Sequence, residues 1–261
     1  LLPHLGADQA KKTLLEGIEG ENLDVIVGSV PVKEKARKEK IKYNILKLLH
    51  DKYDVTEEDF LSAELELVPA DRPREAGLDR SMILGYGQDD RVCAYAALKA
   101  LTDIKGAPEY TSTVLLCDKE EIGSVGATGM ASNFFENTSA ELVDLTSDGY
   151  SELTLKRALN NSWMLSADVN ALFDPLYASV SEKKNTAILN HGLCLTKYCG
   201  SRGKSGSSDA SAEFVAEIRR IFNKAGVIWQ TGELGKVDQG GGGTIAWLMA
   251  RYGMHVVDCG V

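Results

Sequence analysis

"CDKEEIGSVGATG", residues 117–129, sets Asp118, Glu120 and Glu121 close together at the end of the apolar run Thr113, Val114, Leu115 and Leu116, ahead of a glycine-rich stretch. Two more acidic features have the same placement. Asp89 and Asp90 in "GYGQDDRVCAY" stand before a helical pattern, and Asp168 closes "WMLSAD". Singly, each has an ordinary explanation: Asp90 suits a helix N-cap, the Glu pair a solvated turn, and Asp168 a strand end. Together they pose a problem, because crowded carboxylates raise one another's pKa and destabilise a fold unless a cation compensates. A divalent ion with oxygen and imidazole ligands, at about 2.0–2.2 Å for zinc, would compensate them. In an extended segment Glu120 and Glu121 would point to opposite sides, so one could hold metal while the other takes a proton from water.

Of the four histidines, His4 in "LLPHL" follows a proline at an expected strand end and is the best imidazole candidate. His50 lies on a charged helix end and reads as surface. His191 in "ILNHGLCL" precedes a strand and is a candidate for substrate contact, and His255 opens the last strand, away from a site at its carboxyl end. The run "KVDQGGGGTIAW", with glycines at 240–243, opens a helix. It reads either as a loop whose N–H groups approach a ligand, Gly242 being the contact, or as a tight strand-to-helix turn. With no GK[ST] after it, it is not a phosphate loop. Lys197, Arg202 and Lys204 in "TKYCGSRGK" are either cations for an acidic substrate or plain surface charge.

The elements that must position these residues follow from periodicity. Residues 23–32 read as a strand, 33–53 as a helix with Ile41, Ile45, Leu48 and Leu49 on one face, and 62–70 as a strand of period two. Thr56 with Asp59 forms a capping pattern. Beyond 78, helices are expected at 89–101, 151–160, 208–226 and 244–253, and strands at 112–117, 162–168, 226–231 and 255–261. Buried strands separated by amphipathic helices predict a three-layer α/β domain with a largely parallel sheet, whose sites collect at the carboxyl ends of strands.

Composition sets the outer bounds. A chain of 261 residues with 44% apolar and 26% charged residues is ordinary for a globular protein. A net charge of −9 and the lack of a basic, aromatic-rich patch argue against nucleic acid, and no window has the ~18 apolar residues of a membrane span. Five scattered cysteines without a CxxC pair predict reduced thiols in a cytoplasmic protein. With no initiator Met, and an end on a strand pattern, the chain reads as a piece of a longer protein.

Together these residues resemble the M18 family of metallo-aminopeptidases, the aspartyl aminopeptidase family. The resemblance rests on "LLPHL", "GYGQDDRVCAY", "DKEEIGSVGATGM", "MLSADVN", "GSRGKSGSSDASAEF", "GKVDQGGGGTIAW" and "GMHVVDCGV", in family order across essentially the whole chain. It implies a zinc aminopeptidase α/β domain over 1–9 and 79–261, interrupted at 10–78 by a smaller α+β dimerisation domain. It also implies two divalent metal ions, zinc in the family. Matched by motif, His4 is the first histidine ligand, Asp89 the carboxylate between both metals, Glu120 the general base, Glu121 a ligand of one zinc and Asp168 a ligand of the other. The implied activity is release of the first residue of a peptide, with an Asp or Glu preference inherited from the family name; His191, Lys197 and Gly242 are the substrate-contact candidates. The implied assembly is a homo-oligomer built from dimers, often a dodecamer.

Two departures stand out. The family's last histidine ligand lies a few residues beyond the strand matching "VVDCGV", and no counterpart precedes Val261. The helix around Ile41 and Lys42 lacks the histidine that some members offer to a neighbouring subunit. Two rival readings stay open at this point: a non-catalytic assembly protein that keeps the fold, and a small-molecule binder using the glycine loop, which leaves the carboxylates unexplained.

Overall fold

The structure, a computed structural model, describes every residue except Leu1, Arg37, Gly203 and Lys204. The chain divides into two compact units, Leu1–Pro69 and Ala70–Val261.

In the first unit the one long element is α1, Lys40–Tyr53, closed by Asp54 in the left-handed region with its N–H on the His50 carbonyl. The helix starts later than its pattern predicts, because 33–39 crowds lysines where a helix N-terminus disfavours cations. Residues 23–32 and 62–70, expected as strands, form none: no neighbouring strand among the described residues completes a ladder, and a lone extended segment has no strand pairing to stabilise it. The first of these lies along α1 instead, with Asn44 donating to the Val30 carbonyl at 3.0 Å. Thr56 donates from its N–H and hydroxyl to Asp59, each at 2.7 Å, as the capping pattern predicts.

The second unit opens with a hairpin of β1, Arg74–Ala76, and β2, Met82–Leu84. There follow α2, Gln88–Thr102; α3, Phe134–Thr146; α4, Glu152–Asn160; and β3, Trp163–Ser166. Then come β4, Leu193–Thr196; β5, Tyr198–Ser201; β6, Ser205–Asp209; α5, Ala212–Ala225; β7, Trp229–Thr231; α6, Ala246–Ala250; and β8, His255–Gly260. The central sheet runs β3-β8-β4-β7. It is mixed rather than largely parallel: β3/β8 and β4/β7 are parallel, β8/β4 antiparallel.

Neighbouring residues of a strand face opposite ways, and β8 uses this to hold three layers together. Val256 packs into one cluster with Leu155 and Leu159 of α4 and Leu248 and Met249 of α6. Val257 and Cys259 pack into another with Phe214, Ile218 and Phe222 of α5. Helices α4 and α5 are capped by serine, Ser151 accepting from Thr154 N–H and Ser211 from Phe214 N–H. The i, i+4, i+8 stripe of Phe214, Ile218 and Phe222 covers the sheet and leaves Ile221 exposed. Residues 112–117, expected as a strand, remain unpaired up to a single bridge between Asp118 and Gly129. Leu115 and Cys117 still pack on the α4/α6 cluster, so the apolar pattern reports burial and not a ladder.

Candidate metal centre

Parallel pairing of β3 with β8 puts their carboxyl ends together, and Asp168 lies two residues beyond β3. Its backbone is gripped there. A Cβ at Gly260 would overlap the Asp168 carbonyl, and Asn170 N–H donates to the Val261 carbonyl at 2.7 Å. Because β4 runs antiparallel to β8, Cys194 pairs with Gly260, which brings the start of β4 to this same end.

Asp89 and Asp90 sit at the head of α2 with non-helical backbone angles, joined by a cis peptide. The Cys93 N–H and thiol beside the Asp90 carboxylate partly offset the rise that burial imposes on it. Glu120 and Glu121 lie in a single 3-10 turn, Glu120–Ile122, flanked by Lys119 and Gly123 in the left-handed region. That replaces the extended geometry expected for them, yet their surroundings still differ. Glu120 is half-buried and feels Glu121, Asp89, Asp90 and Asp168, whereas Glu121 is exposed and feels chiefly Asp89. Asp118 stands apart, bonded to the Thr128 hydroxyl and paired with Lys119.

Donor atoms of Asp89, Asp90 and Asp168 all lie within 4.8 Å of one another. Two like charges at such a separation repel by roughly 3 kcal/mol at an effective dielectric of about 20. Without a counter-ion the site meets this by holding protons. Burial first, then the Glu120 carboxylate, pushes Asp168 up to about 7. Burial and then Glu121 raise Glu120; the Asp89 carboxylate first, then burial, raises Glu121; burial, with Asp89 adding to it, raises Asp90. Cys93, beneath them, is pushed by burial and then by Asp90 to about 12, so it stays a neutral thiol.

These residues fit a divalent cation. Among the described residues no Lys or Arg forms an ion pair with any of the five carboxylates. The Asp90 Oδ1 atom is buried with no hydrogen-bond partner. Buried acceptors lacking donors are rare in folded proteins and call for an ion or water. An all-oxygen set suits a hard or borderline ion.

The other candidates are placed as follows. His4 lies in an exposed turn of the first unit rather than at a strand end, and its assignment as a ligand rests on the resemblance. His191 is exposed just before β4, at the end of the sheet that Asp168 occupies. Lys197 is exposed and pairs with Asp209 at 2.5 Å. Gly242 lines a cavity of about 20 Å³ together with Thr196, Glu233 and Leu234. Arg202 donates its N–H to the Gly240 carbonyl, and Lys204 lies outside the described residues. His255 opens β8 at the far end and bonds Ser211. Sequence reasoning missed Cys93 and Gly260; the three-residue spacing from Asp90 to Cys93, that of a cap to its third helical residue, was the available signal for the first.

Comparison with known proteins gives one consistent result. The family model described as "Aminopeptidase I zinc metalloprotease (M18)" matches residues 1–261. A Clostridium acetobutylicum protein named "Probable M18 family aminopeptidase 1" is 56% identical over 261 residues, which are 100% of this chain and 56% of that protein. The crystal structure of an M18-family aminopeptidase from Thermotoga maritima superposes with a TM-score of 0.90 at 47% identity, covering 100% of this chain and 57% of that one. The structure of the S. cerevisiae mApe1 dodecamer gives 0.60 at 25% identity, covering 73% and 42%. The chain thus spans little more than half the length of the relatives it matches.

Proposed function

The chain belongs to the M18 zinc metalloprotease family, and from that premise we propose that the protein it represents is a metal-dependent aminopeptidase, releasing one residue from the amino terminus of a peptide. The observation that supports this most is the meeting of Asp89, Asp90, Glu120, Glu121 and Asp168 at one end of the sheet with, among the described residues, no cationic side chain paired to them. Asp89, Glu121 and Asp168 would hold two divalent ions, Asp89 serving both. When bound, such a pair polarises the scissile carbonyl and lowers the pKa of water.

The protein's own part falls to Glu120. It takes a proton from the attacking water as the new C–O bond forms, and returns it to the amine nitrogen as the C–N bond breaks. Burial and three neighbouring carboxylates raise its affinity for that proton, which suits a group that must hold it between two steps.

Finer features belong to the same proposal. Lys197 is the cation for an acidic first residue, and an acidic substrate would have to draw it from Asp209. The protein forms a homo-oligomer, in line with the dodecamer described for yeast mApe1. Five free cysteines suit the cytoplasm, and among the described residues no helix is long and apolar enough to cross a membrane.

Glu120→Gln tests the core of the reading. It keeps the shape of the side chain and removes the base, so metal content should persist while peptide turnover falls by about 10²–10⁴-fold. Undiminished turnover would remove Glu120 from the mechanism. Metal retained by an unaltered protein that cleaves no peptide would favour the assembly reading.

A further inference from the structure

One buried carboxylate is not used by the chemistry above. Asp258 is only 7% exposed, in the middle of β8 between the buried Val257 and Cys259. A buried carboxylate costs several kcal/mol unless its oxygens are satisfied, and an apolar residue would pack there without that cost. The Thr244 hydroxyl donates to Asp258 Oδ1 at 2.6 Å, and the Cys199 thiol lies 3.8 Å from the same hydroxyl oxygen. The same Thr244 oxygen accepts the Ala246 N–H, the first of α6, at 3.2 Å. Strand β8, strand β5 and the start of α6 therefore meet at the Thr244 hydroxyl.

Directly before Thr244 comes the glycine run. Gly241 has φ +90°, and a Cβ there would overlap the Gly200 carbonyl. Four consecutive glycines have the largest backbone entropy to lose, so the run needs an external anchor to hold one conformation. Gly241 and Gly242 line the small cavity with Thr196 and Glu233. Thr196 in turn accepts from the Asn170 side chain at 3.0 Å, and Asn170 is two residues beyond Asp168. Through Thr196 the cavity lining is thus bonded to the loop that carries Asp168.

We infer that Asp258 is a positioning residue: through Thr244 it holds the glycine run 240–243 as a wall of the site that receives the first residue of a peptide. This rests on the aminopeptidase reading for its substrate, but the anchoring itself can be measured without turnover. Thr244→Val removes the hydroxyl at nearly constant shape, and Thr244→Ser restores it. In the full-length protein, Thr244→Val should speed amide hydrogen exchange at 240–243 by about tenfold, as loss of one hydrogen bond allows, while β3 and β8 keep their protection and metal content holds. It should also weaken binding of free leucine, the product-like probe, and raise KM for leucine p-nitroanilide more than it lowers kcat. Thr244→Ser should return all of these. Unchanged exchange at 240–243 in Thr244→Val would overturn the inference. So would a parallel loss of KM, kcat, metal and melting temperature in both variants, which is the signature of a merely structural residue. If the unaltered protein cleaves nothing, the aminopeptidase reading fails, while exchange and leucine affinity still decide this one.

Discussion

Asp168 shows how a single residue reports the state of its site. Its carboxyl group is pushed to about 7, burial first and Glu120 next. A carboxyl whose folded pKa exceeds its unfolded value stabilises the fold by proton binding; that contribution is complete below about 3.9 and is lost as pH rises through the folded value. Asp90, Glu120 and Glu121 shift in the same direction. Melting temperature measured in chelator should therefore fall between about pH 4 and 7, and added zinc should restore it at the upper end. A chelated protein whose stability climbs over that range would contradict the crowding. Lys197 gives a second residue-level test. Lys197→Met should lower kcat/KM for peptides opening with Asp by about tenfold or more, as loss of a charged hydrogen bond allows, and leave those opening with Leu unchanged. Equal effects on both would assign Lys197 to its Asp209 pair alone. The candidate carboxylates were legible because each closes a recognisable local pattern. The neutral thiol of Cys93 was not, because it depends on burial and on a carboxylate, Asp168, that only the folded chain brings near it.

At the scale of elements, the centre depends on how closely β8 approaches the loop after β3. Gly260→Ala would drive a methyl group into the Asp168 carbonyl, so it should cost about 1–3 kcal/mol by overpacking and lower metal retention with it. Gly226, whose Cβ would meet nothing within 4 Å but whose φ is +69°, is the control: Gly226→Ala should cost about 1 kcal/mol with metal retention intact. Thermal melts with metal analysis on both variants check this, and equal metal retention in the two would discount the contact. Elements that find partners were readable from the sequence: α2, α4, α5, β3 and β8 all lie where periodicity places them. The failures share a cause. Residues 23–32, 62–70 and 112–117 have strand-like patterns but no ladder among the described residues, and pattern alone reports burial without naming a partner. Strand β6, "SGSSD", was invisible for the converse reason: it pairs with β5 while carrying no apolar alternation.

At the scale of the whole molecule, the net charge of −9 gives a field that draws cations toward the protein, in keeping with a cluster that has no basic partner among the described residues. The family model extends over residues 1–261, so the second unit's carboxylates and the first unit's helix belong to one family pattern. The central claim is that these carboxylates converge because divalent ions neutralise them. Metal analysis after zinc loading and exhaustive dialysis tests it most directly, with Asp89→Asn alongside. Two equivalents of zinc per chain are expected in the unaltered protein, with a marked loss in Asp89→Asn. No retained zinc, or the same amount in both proteins, would contradict it.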